Sequence, residues 1–95
     1  MNYSVRFSKQ IQRQMAHLPG NIRNQATGRI LALRRQPRPP DAKELEGHPD
    51  FFRIWLDSDF RLVWQVDDDA QLVDIFYVGP KLGDLYARLG LDRPR

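Results

Sequence analysis

The segment Gln36-Pro37-Arg38-Pro39-Pro40 most constrains what this chain can fold into, because the spacing of apolar residues changes across it. Three prolines in so short a stretch remove backbone donors and hold the preceding residues extended, so no helix runs through. Upstream, Ile11, Met15 and Leu18 fall at i, i+4 and i+7, and Ile22, Ala26, Ile30 and Leu33 carry a second helical stripe to about Arg35. Downstream the pattern is that of strands, over 51–56, 60–66 and 72–78. Helix and strand segregated in this way predict an α+β domain in which the helices pack on one face of an antiparallel sheet. At 95 residues, 41% of them hydrophobic, the chain has interior for one core and not for two, so residues 1–95 are read as a single domain.

Local signals set the expected element order of strand, helix, helix, three strands, helix. Tyr3, Val5 and Phe7 alternate with Ser4 and Arg6, as in a short strand with one buried face. Ser8 is placed to cap the first helix, Pro19-Gly20 to end it, and Asn21 to cap the second, with Gly28 a mild cost inside it. So short a turn makes the two helices a hairpin. Residues Asp41 to Asp50, with Leu45, Gly47 and Pro49, read as an ordered loop. Turns follow at Asp57-Ser58-Asp59 and around Asp67-Asp68-Asp69, and Gly79-Pro80 stops the third strand of the meander. Lys81 to Leu89 suggests a final helix with Leu82, Leu85, Tyr86 and Leu89 on one stripe and Gly90 as terminator.

A hairpin closed through Asp57-Ser58-Asp59 sets Leu56 opposite Phe60, Ile54 opposite Leu62 and Phe52 opposite Trp64, giving an apolar face for the helices. The other face then carries Arg53, Trp55, Arg61, Val63 and Gln65, with Trp55 across from Arg61. Two arginines and a tryptophan on an uncovered sheet face suit gripping phosphates and stacking on bases. Trp55 and Arg61 equally suit a surface cation–π pair. Trp64 reads as core, while Phe76 and Tyr77 straddle the two faces and receive no role.

Other candidate chemistry is thin. Asp67-Asp68-Asp69 offers carboxylates that hard cations favour, but no calcium-loop spacing surrounds it, so it reads as a solvated turn and no metal is assigned. His17 ends a helix and His48 precedes Pro49, neither with an evident acid–base partner. No phosphate-binding glycine loop, serine-nucleophile motif or cysteine is present, which excludes most hydrolase and nucleotide-dependent classes and any disulfide framework. The opening Met-Asn-Tyr-Ser-Val-Arg lacks the apolar stretch of a secretory signal, and no run approaches the roughly 18 apolar residues of a membrane span, so the chain reads as cytoplasmic.

Charge says more. Residues 1–40 carry eight Lys or Arg and no acid, whereas residues 41–95 carry seven basic and twelve acidic side chains, a net +8 followed by a net −5. Singly, such arginines are ordinary helix surface; eight without an acid suggest a partner, either a phosphate backbone or an acidic protein wrapped around the chain.

The series Leu45-Glu46-Gly47, Phe52-Arg53-Ile54-Trp55-Leu56, Phe60 to Val66, then Val78-Gly79 with Lys81 and Tyr86 behind it, resembles the RelE/ParE toxins over nearly the whole chain. The resemblance implies a RelE-like fold and a toxin of a type II toxin–antitoxin system. It implies a ribosome-dependent mRNA endonuclease that needs no metal or cofactor, inhibits translation and is neutralised by a cognate acidic antitoxin in a hetero-oligomer. A ParE-like inhibitor of DNA gyrase, or a lapsed toxin that only binds its antitoxin, are the alternatives. By position, Arg61 matches the arginine directed at the scissile phosphate and Arg53 a basic residue on the preceding strand; Lys81 matches the basic residue after the Val-Gly pair, and Tyr86 the tyrosine acting as base or base-stacking group. Trp55 and Lys43 are read as further RNA contacts. This chain departs from the family at Trp55, where a second strand lysine is common, at Pro80, which intervenes before Lys81, and in a Gly79-to-Tyr86 spacing one residue short.

Overall fold

The computed structural model describes residues 2–91. Strand β1 (Ser4–Arg6) leads into helices α1 (Lys9–Ala16) and α2 (Gly20–Leu33). The chain returns through β2 (Lys43–Leu45), β3 (His48–Leu56), β4 (Phe60–Asp67) and β5 (Leu72–Pro80) to a single helical turn, α3 (Leu85–Arg88). The five strands lie in the order β1-β5-β4-β3-β2. Strands β2 to β5 form an antiparallel meander, while β1 joins β5 in parallel, so the expected antiparallel sheet is mixed at that edge. Alternation reports which face a residue occupies and carries no information on strand direction. Among the described residues no helix is long and apolar enough to cross a membrane.

The β3–β4 register is the expected one, with Phe52 opposite Trp64, Ile54 opposite Leu62, Leu56 opposite Phe60 and Trp55 opposite Arg61. Its apolar face packs under the helical stripe of Ile11, Ile22, Ala26, Ile30 and Leu33, with Trp64 and Leu62 fully buried between them. The proline segment is tied across this core: the Trp64 indole N–H donates to the Pro37 carbonyl at 2.9 Å, and Arg38 donates to Asp68 at 3.0 Å and Asp50 at 2.7 Å.

Several boundaries differ from the sequence expectation. Ser8 caps α1 through its hydroxyl, which accepts from the Ile11 N–H at 3.1 Å, but α2 begins at Gly20 with Pro19 in the cap position, and Asn21 lies inside the helix. The Pro19 ring presets the helical entry, and its carbonyl takes the Arg23 N–H at 2.8 Å. The Asp41–Asp50 loop contains β2 and the first residues of β3, joined by a turn in which Gly47 adopts φ 75°. A strand of three residues, Lys-Glu-Leu, is too short to show alternation. The final helix is one turn, shorter than Lys81–Leu89, and leaves Leu82 exposed. Phe7 lies beyond β1 and is exposed as well.

Strand β5 carries a bulge: Val63 pairs with Tyr77 but Trp64 pairs with Ile75, so Phe76 is an extra residue. Phe76 and Tyr77 therefore both join the face away from the helices, where Phe76 meets Phe51 edge-on at 4.9 Å. The Tyr77 ring then lies over Gly79; a Cβ there would sit 2.8 Å from the phenol oxygen and 3.1 Å from the ring.

Two outcomes follow for stability. Gly79→Ala should cost about 1–3 kcal/mol in urea unfolding, and clearly less in a Tyr77→Ala background; equal losses in both would place the clash elsewhere. Asp68, whose carboxyl is held below the usual carboxylate range first by the Arg38 hydrogen bond and then by the Tyr3 phenol, contributes stability above its unfolded value of about 3.9 that is lost as pH falls through its folded value. Asp68→Asn should accordingly flatten the fall in the urea midpoint below about pH 4, and an acid limb as steep as wild type would show that this contact adds nothing.

Candidate active site

Pairing of strands arranges the charged side chains of the second sheet face in rows. Lys43, Arg53, Val63 and Tyr77 are successive register partners across β2, β3, β4 and β5, and Trp55, Arg61 and Gly79 form the next row. Lys43 and Arg53 thus stand directly opposite each other. Like charges so placed destabilise a sheet, and neither has an ion-pair partner among the described residues. Such a pair is relieved by an anion.

Arg61 is the centre of the second row. Its guanidinium carbon lies 3.8 Å from the centroid of the Trp55 ring, stacked on the indole face, and its Nη1 donates to the Tyr86 hydroxyl. Tyr86 comes from α3, which the Gly83-Asp84 turn folds back over the sheet. Lys81 places its Nζ 5.4 Å from the same Tyr86 ring; the Lys81 N–H is fixed to the Asp59 carbonyl at 2.9 Å, so Pro80 ends the strand without displacing it from the site. Tyr86 is therefore the hub, with Arg61 and Lys81 at its ring, and with Lys43 and Arg53 it lines an open cleft of about 550 Å³.

The sheet face is not bare, as the sequence reading had it. The C-terminal segment lays Leu89 and Leu91 against Val63, Phe51 and Leu45, a second small core that covers part of the face. Arg61 is only 4% exposed and Trp55 is 51% exposed, so the tryptophan roofs the arginine and the two are not a pair lying on open surface. The guanidinium retains unused donors, among them its buried Nε, which has no acceptor among the described residues. A cation enclosed without a carboxylate, with a donor unspent, is equipped for an incoming oxyanion.

Other candidates fall outside this group. His17 bonds through Nδ1 to the Arg13 carbonyl at 2.7 Å at the end of α1, and His48 is buried edge-on to Phe51 with neither nitrogen partnered among the described residues. Asp67 and Asp68 accept hydrogen bonds from the Ala70 N–H and from Tyr3 and Arg38, the work of a turn. The sequence reading gave Tyr77 and Gly79 no part in the site; the bulge that turns Tyr77 toward it leaves no trace in period-two spacing.

No protein-family model matches the chain. The mRNA interferase toxin RelE of Escherichia coli K12 is 30% identical over 82 residues, 85% of each chain. Among solved structures, an arginine-to-alanine variant of E. coli toxin RelE in the free state superposes with a TM-score of 0.79 at 26% identity, covering 95% of this chain and 96% of that one. RelE in the intact E. coli RelBE toxin–antitoxin complex does so with a TM-score of 0.73 at 27% identity, over 84% and 98%. Sequence and fold agree over nearly the same span, and the chain belongs to the RelE family of toxins.

Proposed function

We propose that this chain is an mRNA endonuclease toxin that cleaves messages on the ribosome and works in the cytoplasm. The observation that carries the reading is the Arg61–Tyr86 contact beneath Trp55, a buried cation and a phenol held together with no acid between them. The 2′-hydroxyl of the RNA attacks the adjacent phosphorus, the bond to the 5′-oxygen breaks, and the products end in a 2′,3′-cyclic phosphate and a 5′-hydroxyl. Charge grows on the phosphoryl oxygens as this happens. The Arg61 guanidinium, already desolvated, stabilises that charge through its unused Nε, help of a kind worth about 3–4 kcal/mol for a single donor. Tyr86 accepts from Arg61 and so keeps its own O–H free to give its proton to the departing 5′-oxygen, while the proton of the attacking 2′-hydroxyl passes to solvent, which then restores the phenol. Lys81 adds charge beside Tyr86, Arg53 and Lys43 take flanking phosphates, and the exposed Trp55 ring stacks on a base. The ribosome holds the message in line.

The E. coli relative is named an mRNA interferase, which favours RNA cleavage over gyrase inhibition. The solved RelBE complex supports a cognate antitoxin here too, acidic because Lys9 and Arg35 on the helical side lack ion-pair partners among the described residues.

The test is to induce the chain in bacteria and follow translation, message integrity and DNA supercoiling. Cleaved messages and a translation block, with cleavage reduced roughly 100-fold or more in Arg61→Ala, are expected. Intact messages with broken DNA would reverse the reading toward gyrase.

A further inference from the structure

Strand β1 covers only Leu72–Asp74 of β5, so residues 75–80 of β5 lie along a free edge of the sheet. Helix α1 packs beside that edge, and the Gln14 side-chain oxygen accepts the Val78 N–H at 3.0 Å, satisfying a donor that a neighbouring strand would otherwise take. Beyond this contact an open groove of about 560 Å³ runs between α1 and the β5–α3 turn. Its lining includes Arg13, His17 and Arg88 and no aspartate or glutamate, whereas the cleft beside Tyr86 includes Glu44, Glu46 and Asp84. Arg13 has no ion-pair partner among the described residues, and Arg88 holds only an exposed pair with Asp84 at 2.9 Å, a contact weak enough to exchange. The half-buried rings of Phe60 and Tyr77 also face the groove.

The groove lies one strand away from the site. It reaches Gly79, the register partner of Arg61, and adjacent strands are about 4.8 Å apart, so an RNA strand leaving Arg61 needs to cross only the edge of β5 to enter it. At this point of the edge the Tyr77 ring fills the space over Gly79, so a strand passing here meets an aromatic surface. A lining of cations, aromatic rings and neutral amides without acids matches a nucleotide of single-stranded RNA, with the phosphate on the arginines and the base on a ring.

We propose that the groove between α1 and the free edge of β5 binds a nucleotide flanking the cut phosphate, with Arg13 on its phosphate and Phe60 or Tyr77 against its base. The proposal rests on the nuclease reading above and extends it to a second subsite. Arg13 projects from an exposed helix surface, so its replacement does not disturb the core.

The experiment follows single-turnover cleavage on ribosomes programmed with a message, against toxin concentration, for the full chain as wild type, Arg13→Glu, Arg13→Lys and Arg61→Ala. Arg13→Glu should raise the half-saturating concentration about tenfold or more, and Arg13→Lys should recover most of it. Messages carrying a neutral methylphosphonate linkage, placed in turn at each phosphate beside the cut, identify the contact: at one of them the Arg13→Glu penalty should vanish. A wild-type saturation curve for Arg13→Glu, or a penalty that persists with every neutral linkage, overturns the groove while an inactive Arg61→Ala leaves the nuclease reading standing. An Arg61→Ala variant as active as wild type overturns both. Loss of antitoxin binding in Arg13→Glu with RNA affinity intact overturns the nucleotide as occupant in favour of an acidic peptide.

Discussion

A guanidinium enclosed on a sheet face, with an indole above it and a phenol oxygen as its acceptor, is the interaction around which this molecule is arranged. Burying a cation costs free energy that stacking and one neutral acceptor offset only in part. The surrounding sequence makes the arrangement possible. The three-residue turn at 57–59 fixes the register that brings Trp55 opposite Arg61, Gly79 on the next strand makes room for the Tyr77 ring, and the Gly83-Asp84 turn delivers Tyr86. None of these contacts involves a carboxylate, so the positive charge stays available to a ligand. Replacing Arg61 by an apolar residue of similar volume should harm stability little, and a surplus of this kind is the mark of a group kept for function.

The uneven distribution of charge has two origins. Three of the eight basic residues of the first half are matched by acids of the second: Arg6 with Asp74, Arg29 with Asp41, and Arg38 with both Asp50 and Asp68. Arg23 instead closes the end of α1 by donating to the carbonyls of Met15, Ala16 and Leu18. What looks along the sequence like a cationic domain followed by an anionic one is in part a fold whose halves neutralise each other. The remainder, Lys9, Arg13, Arg34 and Arg35 with Lys43 and Arg53, is the charge that points to a partner.

Legibility in the sequence followed the strength of the periodic signal. The helical stripes, the proline break and the alternation of Phe52 to Leu56 against Phe60 to Trp64 placed the core, both helices and the hairpin register, and with them Arg61 beside Trp55. The approach of Tyr86 and Lys81 to Arg61 came from family resemblance, because nothing in local spacing says that α3 folds back over the sheet. The β5 bulge, the three-residue β2 and the parallel β1 were not readable, since a bulge breaks the alternation used to detect strands and an edge strand of three residues has no pattern to break. The stripe through Leu82, Leu85, Tyr86 and Leu89 indicates a helix but not the sheet face on which Leu89 and Leu91 pack.

If the Arg61 guanidinium and the Tyr86 hydroxyl act on the phosphate as one unit, removing either should forfeit most of what the pair supplies. The direct measurement is a double-mutant cycle on single-turnover message cleavage with Arg61→Ala, Tyr86→Phe and the two combined. A double variant no slower than the slower single variant is the predicted result. Losses that multiply would mean that the two groups act independently and that their contact in the structure has no part in the chemistry.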